Sequence, residues 1–338
     1  MVNSENWSLK VLEEPKIILK YLQIGTNLPI WKSLEKYILH DLIFFKAKLI
    51  LLQERGYPCG VSLIFESNST LYFGYFKVVN HDDSKIEFLI KKIIEYARNS
   101  NIKVVKGPIN VPIIIYGWGF MEANSKSNLC ATKPVNPPFY IEIFLKNNFQ
   151  ITSREITYEK SPVPYIDPWK LNKYNYAEYK FFNPANKKEF QKYKQDYIKL
   201  HAENLPISSR ITPNSPKLIN NYLDYIFEFG YKSMIIFIKH KPTNEIVASG
   251  TFLPEPFRIF PNGKTDCFCI YSWVIDKNYR GKGLAILLYG GSIIQLWKKG
   301  VKNAFASTGE NNMSVDIIEK VFGGVRTKSH VLLEKKIN

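Results

Sequence analysis

The run Cys267-Phe-Cys-Ile-Tyr-Ser-Trp-Val-Ile275, followed by Asp276-Lys-Asn-Tyr-Arg-Gly-Lys-Gly-Leu-Ala285, decides the fold. Its first nine residues are apolar, aromatic or β-branched, the composition of a strand. After the glycines, the apolar residues from Leu284 to Trp297 read as a helix. Strand, glycine turn and helix together make an anion cradle. Glycine lets the backbone turn sharply and approach a ligand, while the unpaired N–H groups and positive dipole end of the helix face the charge. A phosphate or pyrophosphate site is expected on Gly281, Lys282, Gly283, Leu284 and Ala285, with Arg280 and Lys282 as counter-charge.

Working outward, the second half opens with a possible strand (176–182), then helices at 186–201 and 215–229. A strand (233–239), a turn at Lys241-Pro-Thr-Asn244 and another strand (246–253) precede the glycine turn. After it come a strand (301–307), a helix (313–322) and a strand (326–334). In the first half, residues 1–55 read as helical or mixed and end in the apolar Lys48-Leu-Ile-Leu-Leu52. A hairpin follows (60–65 and 71–79), then a helix at 86–97 whose Ile86, Leu89, Ile90, Ile93, Ile94 and Ala97 recur at helical spacing behind an acidic cap. A short strand (102–105), a long Pro- and Gly-bearing connection (111–138), a helix (139–146) and a strand (150–159) complete it. The prolines of Ser161-Pro-Val-Pro164 and Pro168 break regular structure.

The two halves repeat each other in their closing parts: strand, helix, strand, helix, strand. Aligned without gaps, Phe149 falls on Gly324, and Glu159-Lys160 falls on Glu334-Lys335. We read a duplicated domain, 1–160 and 174–338, joined by a linker at 161–173. Where the second copy has Arg280-Gly-Lys-Gly283, the first has His81-Asp-Asp-Ser84. That sequence has no glycine to close around a pyrophosphate, and its charge repels one. The first copy is expected to be a degenerate, structural domain lending acceptor-side loops, with Tyr116, Trp118, Phe120, Phe139 and Tyr140 facing an acceptor.

A chain of 338 residues, 45% hydrophobic and 22% charged, suits two globular domains rather than long disorder. The formal charge of +16 has two readings, an anionic partner or a general abundance of lysine. The basic residues do not cluster as a nucleic-acid arm would, which disfavours nucleic acid. Met1-Val-Asn-Ser-Glu-Asn-Trp7 lacks the basic start and apolar core of a signal peptide, so a cytoplasmic location is expected. The apolar 37–52 region is interrupted by His40, Asp41, Lys46 and Lys48, so no membrane association is expected. Four scattered cysteines form neither a disulfide scaffold nor a four-ligand metal site, so buried thiols and no metal are expected.

Arg280, Gly283 and Ala285, with Val274-Ile275 at the strand end and Glu310-Asn-Asn312 before the next helix, resemble the signature of the GCN5-related N-acyltransferases (GNAT). Tyr72-Phe-Gly-Tyr-Phe76, Gly107-Pro-Ile-Asn110, Asn136-Pro-Pro-Phe-Tyr140, Ala202-Glu-Asn204 and Gly323-Gly324 resemble a two-domain subgroup of that family, over about 45–338. The fold this implies is α/β, a mixed α+β sheet in tandem GNAT-like domains. The chemistry it implies is direct transfer from acetyl-CoA or another acyl-CoA co-substrate to an amine acceptor. By the same resemblance the pyrophosphate sits on the 281–285 amides, and the pantetheine arm lies between the strands at 267–275 and 301–307.

An amine with a pKa of about 10 must lose a proton before it attacks. Glu310 is the carboxylate candidate for base, and equally a helix-start residue. Tyr271 and Ser272 are candidates on the preceding strand, with core aromatic and strand hydroxyl as alternatives. Asn312 reads as a contact to the CoA arm or as an N-cap, and Lys282 as a phosphate contact or a solvated lysine. Glu203 and Asn204 fall in a region that lines the acceptor side in related folds, or in a surface loop. Many members of the family carry a Tyr as acid seven residues after the Asn, whereas this chain has Glu319. Two other readings stay open: an aminoacyl-tRNA-dependent transferase, and a non-catalytic acyl-CoA-binding protein.

Overall fold

The computed structural model describes residues 7–170, 173–204, 216–229, 235–258 and 265–337. Positions 171 and 172 of the expected linker and the first two of the expected strand at 233 lie outside them. By packing, the chain forms two compact units, Met1–Ile156 with Lys328–Asn338, and Thr157–Thr327.

Unit 1 contains β1 (Trp7–Leu12), α1 (Pro15–Leu22), α2 (Glu35–Phe44), β2 (Lys48–Glu54), β3 (Tyr57–Ser67), β4 (Thr70–Val78), α3 (Asp83–Asn99), β5 (Val104–Gly107), α4 (Ile113–Tyr116), β6 (Phe120–Met121), α5 (Phe139–Lys146) and the first part of β7 (Gln150–Lys160). The "mixed" reading of 1–55 thus resolves into two strands and two helices. β1 to β4 pair antiparallel in order, and β5 joins β4 in parallel. The expected hairpin is β3–β4, and the helical spacing at 86–97 becomes α3. All six of its apolar positions are buried in one cluster with Phe73, Val105 and Phe144. At about 1.5–3 kcal/mol for each fully buried large aliphatic side chain, this face holds the helix on the sheet. Asp82 caps α3, its carboxylate accepting from the Lys85 N–H at 3.1 Å.

The last residues of the chain also belong to this unit. Leu333 pairs with Gly107 and Lys336 with Val104, antiparallel, while His330 and Val331 lie beside β6. Pairing, rather than position in the sequence, therefore counts 328–338 with the first unit.

The expected acceptor-facing aromatics have a different role. Tyr116, Phe120 and Tyr140 are buried in the unit itself, with Phe120 and Tyr140 inside the α3 core. Phe139 stacks on His81 at 3.8 Å. Packing accounts for them, because the 111–138 connection folds inward as α4 and β6 rather than standing out as a loop.

Unit 2 holds the end of β7, β8 (Tyr179–Phe182), α6 (Lys187–Phe190), α7 (Lys194–Asn204), α8 (Pro216–Phe229), β9 (Ile235–His240), β10 (Glu245–Pro254), β11 (Cys267–Ile275), α9 (Leu284–Lys298), β12 (Asn303–Gly309), α10 (Ser314–Asp316) and the start of β13 (Val325–Lys336). The expected 186–201 helix is broken by a 3-10 turn at Gln191–Tyr193 and runs on to Asn204. The expected 313–322 helix is one α turn followed by a π-helical Ile317–Val321. Strands β8 to β11 pair antiparallel, and β11 pairs β12 in parallel.

Strand alternation separates the faces of this sheet. Ile236, Ile238, Phe268 and Trp273 pack with α9. Phe237 instead packs on Phe190, Tyr193 and Tyr197 of the α6–α7 segment. The four cysteines are free and buried. Among the described residues no helix is long and apolar enough to cross a membrane, and no His, Cys, Asp and Glu cluster could hold a metal.

Candidate active site

The turn between β11 and α9 has the cradle geometry expected of it. Gly281 and Gly283 both take left-handed φ values, +77° and +75°, which side-chain-bearing residues rarely adopt. Gly283 is the N-cap of α9 and offers no side chain to satisfy the first helical N–H groups. A Cβ at Gly281 would meet nothing within 4 Å, so that backbone is open to a ligand. A Cβ at Gly283 would lie 2.5 Å from the Tyr174 ring, which packs on the turn. Tyr176 adds a hydrogen bond from its hydroxyl to the Gly283 carbonyl, 3.0 Å. Leu284 is buried and anchors the first helical turn, and Ala285 is partly buried.

The two cations beside the glycines are placed differently. Arg280 is committed to backbone: its Nε donates to the Ile275 carbonyl at 3.3 Å and its Nη2 to the Asn204 carbonyl at 3.1 Å. Asn204 completes that stitch by accepting from the Lys277 N–H at 3.0 Å and donating to the Leu200 carbonyl at 3.2 Å. The end of α7 is thereby tied to the turn. Lys282 is exposed and its Nζ lies 4.7 Å above the Tyr279 ring, so it is a solvent-facing positive charge beside the glycines.

Strands β11 and β12 pair from Cys267 opposite Asn303 to Ile270 opposite Ala306, and then part. On the other side of β11, Thr251 faces Ser272 while Phe252 faces Ile270, which leaves Tyr271 as a bulge residue. A bulge bends its strand and increases the local twist. Past Ile270 and Ala306 the two strands run on to Ile275 and Gly309 with no pairing between them, which leaves a slot between the strand ends. Val274 is buried and Ile275 partly buried along it.

Around the slot, Ser272 lies on the α7 face with His201. His201 Nε2 is 3.0 Å from Ser272 Oγ, and Nδ1 is 2.9 Å from the Tyr197 carbonyl. His201 is 3% exposed, and burial pushes its pKa down to about 4. Tyr197 stacks on the imidazole at 3.9 Å and its hydroxyl is 2.8 Å from Thr251 Oγ1. Burial raises the Tyr271 phenol well above its usual range. Ser249, fully buried on the same face, has a hydroxyl with no partner.

The remaining candidates sit at the far end of β12. Glu310 is exposed just beyond the strand. Asn312 accepts from the Ser314 N–H at 3.0 Å, an i to i+2 turn contact just before α10, whose N-cap is Met313. Glu319, at the position of the expected tyrosine, accepts from Arg326 Nε at 2.7 Å and from the Tyr158 hydroxyl at 2.9 Å. The hydrogen bond from Arg326 is the main cause holding this carboxyl below its usual pKa, and burial pushes the Tyr158 phenol up to about 12.

This strand, bulge, double-glycine turn and helix lie within a stretch that matches a known family. Residues 200–323 match the acetyltransferase (GNAT) family model. This part of the chain is a GNAT domain. Solved structures extend the likeness of fold to both units. A tandem GNAT protein from the clavulanic acid biosynthesis pathway, solved without AcCoA, is 10% identical with a TM-score of 0.61, covering 98% of this chain and 99% of that one. A GCN5-related N-acetyltransferase from Sphaerobacter thermophilus is 10% identical with a TM-score of 0.57, over 98% and 96%. A glucosamine N-acetyltransferase region of a fungal multi-domain beta-N-acetylglucosaminidase is 12% identical with a TM-score of 0.62, over 97% of this chain and 38% of that one. No curated protein matches the sequence. At these identities the structures speak for a tandem GNAT fold.

His201 escaped the sequence reading. It directly precedes Ala202-Glu-Asn204, which draws attention to the segment but not to the histidine, because its partner Ser272 is 71 residues away.

Proposed function

We propose that this GNAT protein is an acyl-CoA-dependent N-acyltransferase, with acetyl-CoA as default donor, that transfers the acyl group to a primary amine by direct attack at a single site in unit 2. The observation that carries this is the open left-handed backbone at Gly281, at the start of α9 and just after the strand whose pairing with β12 ends at Ile270. The residues present fit the co-substrate. The N–H groups of 281–285 suit its pyrophosphate, Lys282 can follow the phosphates, and the edges of 271–275 and 307–309 offer unpaired backbone groups to an amide-bearing arm. Asn312 remains a candidate contact to that arm through its amide N–H₂.

Bound acyl-CoA would supply an activated thioester carbonyl. The chain's own tasks are then to fix the thioester, orient the amine and accept its proton. Ser272 and Tyr271 lie on the strand that borders the slot, and Glu310 at its end is exposed to water through which a proton can leave. The carboxylate at 319, occupied by Arg326 and Tyr158, favours a second reading, an acyl-CoA-binding protein without turnover.

We place the protein in the cytoplasm, in keeping with four reduced buried thiols. We also propose that the repeats 1–160 and 174–338 descend from one duplicated domain. Mass spectrometry of the purified protein for bound acyl-CoA, then calorimetry with acetyl-CoA and thiol release with a panel of primary amines, tests the function. Acetyl-CoA binding with amine-dependent thiol release is the expected result. Binding without release for every amine supports the second reading, and no binding overturns both.

A further inference from the structure

The acid–base chemistry of the α7 face is fixed by one tautomer. The Tyr197 carbonyl can only accept, so His201 Nδ1 carries the hydrogen and donates to it at 2.9 Å. His201 Nε2 is then a lone pair, and the contact to Ser272 Oγ at 3.0 Å is a hydrogen bond donated by the serine hydroxyl. A hydroxyl has one hydrogen. With that hydrogen given to His201, Ser272 offers only lone pairs to anything else. Tyr197 supports the arrangement twice, stacking on the imidazole at 3.9 Å and anchoring its own ring through a hydrogen bond between its hydroxyl and Thr251 Oγ1, 2.8 Å.

The place of this hydroxyl matters. Ser272 is the first residue after the Tyr271 bulge, where β11 has parted from β12, and its side chain points to the face opposite α9. An acyl carrier held at the start of α9 and passing between the unpaired strand ends would bring its acyl group to the stretch of β11 that carries Ser272.

We infer that Ser272 is the hydrogen-bond acceptor that aligns the attacking amine, and that His201 is the positioning residue that keeps the serine hydroxyl turned so that it can only accept. The inference rests on the transferase reading and names the acceptor chemistry of that site: a primary amine, which spends one N–H on Ser272 Oγ while its nitrogen lone pair faces the thioester carbonyl. Burial keeps His201 neutral at physiological pH, so the polarity of Ser272 does not change there.

The test compares the full-length wild type with Ser272→Ala, Ser272→Thr, His201→Phe and His201→Gln. Acetyl-CoA affinity is measured by calorimetry, and kcat and KM are measured for the best acceptor in a panel of ethanolamine, spermidine, glucosamine and a lysyl peptide. Loss of one such hydrogen bond corresponds to roughly tenfold or more in kcat/KM for the amine, expected in Ser272→Ala and His201→Phe with acetyl-CoA affinity kept. Phe preserves the stack on Tyr197 but has no acceptor. Ser272→Thr keeps the hydroxyl and His201→Gln offers an amide oxygen to it, so both should recover most of the rate. Unchanged kcat/KM in Ser272→Ala overturns the inference, as does His201→Gln no better than His201→Phe. Tight acetyl-CoA binding with no transfer to any of the amines overturns it as well. A wild type that binds no acetyl-CoA overturns the transferase reading beneath it, and the two failures are thereby told apart.

Discussion

Gly281 and Gly283 share a left-handed backbone, but a side chain at each would meet different surroundings, open space at 281 and the Tyr174 ring at 283. Substitution at either costs roughly 1–2 kcal/mol of backbone strain. Only at 283 does a collision within the protein add to it. Gly281→Val should therefore weaken acetyl-CoA binding at least about tenfold while Tm falls only by the strain. Gly283→Ala should lower Tm further, and Tyr174→Ala in the same chain should restore part of the loss. Equal Tm for the two single variants would show that Tyr174 does not matter.

The buried histidines make a second residue-level prediction. His201 in unit 2 and His330 in unit 1 have pKa values pushed by burial from 6.5 to about 4 and about 3. As pH falls through 6.5 the unfolded imidazoles bind protons and the folded ones do not, so stability rises with pH across this window and is lost on acidification. Each accounts for on the order of 3 kcal/mol between neutral pH and pH 4. Thermal melts at pH 7, 6, 5 and 4 should show the decline, and His201→Phe should flatten it.

At the scale of elements, the site depends on two partings of backbone, β11 from β12 and the end of α7 from the glycine turn, and the second is bridged by side chains. Asn204 and Arg280 make that bridge, with the Asn204 amide holding the Lys277 N–H and the Leu200 carbonyl. Asn204→Ala should cost about 1 kcal/mol, because it removes the bond to the part-buried Lys277 N–H and leaves the Leu200 carbonyl less well satisfied. It should also raise the Kd for acetyl-CoA by loosening the turn. Differential scanning calorimetry and binding calorimetry on the same sample check both, and an unchanged Kd would mean that the turn holds its shape without α7.

What could be read from sequence divides along the same line. Strand β11, helix α3 and the paired glycines are local patterns, and each element stands within about three residues of where composition and spacing put it. Contacts between distant residues are not local patterns. The pairing of Ser272 with His201, the Arg280 stitch and the partner of the last strand all join residues far apart in the chain. Tyr116 and Phe120 are legible as aromatics in a long connection and Tyr140 as one in the helix after it. Only the inward folding of that connection as α4 and β6, and the packing of α5 on α3, show them to be core.

For the whole molecule, the proposed duplication implies two cofactor slots, and the one-site proposal requires that the copy in unit 1 be closed to ligand. In unit 1 the corresponding helix α3 is capped by the Asp82 carboxylate, which occupies the first N–H groups with a negative charge. The corresponding gap beyond the parallel β4–β5 pair is filled by the chain itself. Ile109 N–H donates to the Phe73 carbonyl at 2.7 Å, and Tyr75 N–H donates to Asn110 Oδ1 at 2.6 Å. Asn110 Nδ2 donates to the Tyr116 carbonyl at 3.1 Å, and the Tyr75 hydroxyl to the Val111 carbonyl at 2.7 Å. Gly107-Pro-Ile-Asn110 thus satisfies from within the strand edge that unit 2 leaves open. Charge and steric filling act together, so removing the charge alone should create no second site. Calorimetry of the full chain should find one acetyl-CoA per molecule, and Asp82→Asn, which keeps the cap but not the charge, should leave both stoichiometry and Kd unchanged. Asn110→Ala should lower Tm by about 1–3 kcal/mol equivalent, through the unsatisfied Tyr75 N–H, without altering the Kd. A stoichiometry of two, in the wild type or in Asp82→Asn, would show that the filled gap in unit 1 opens to ligand and would end the one-site account.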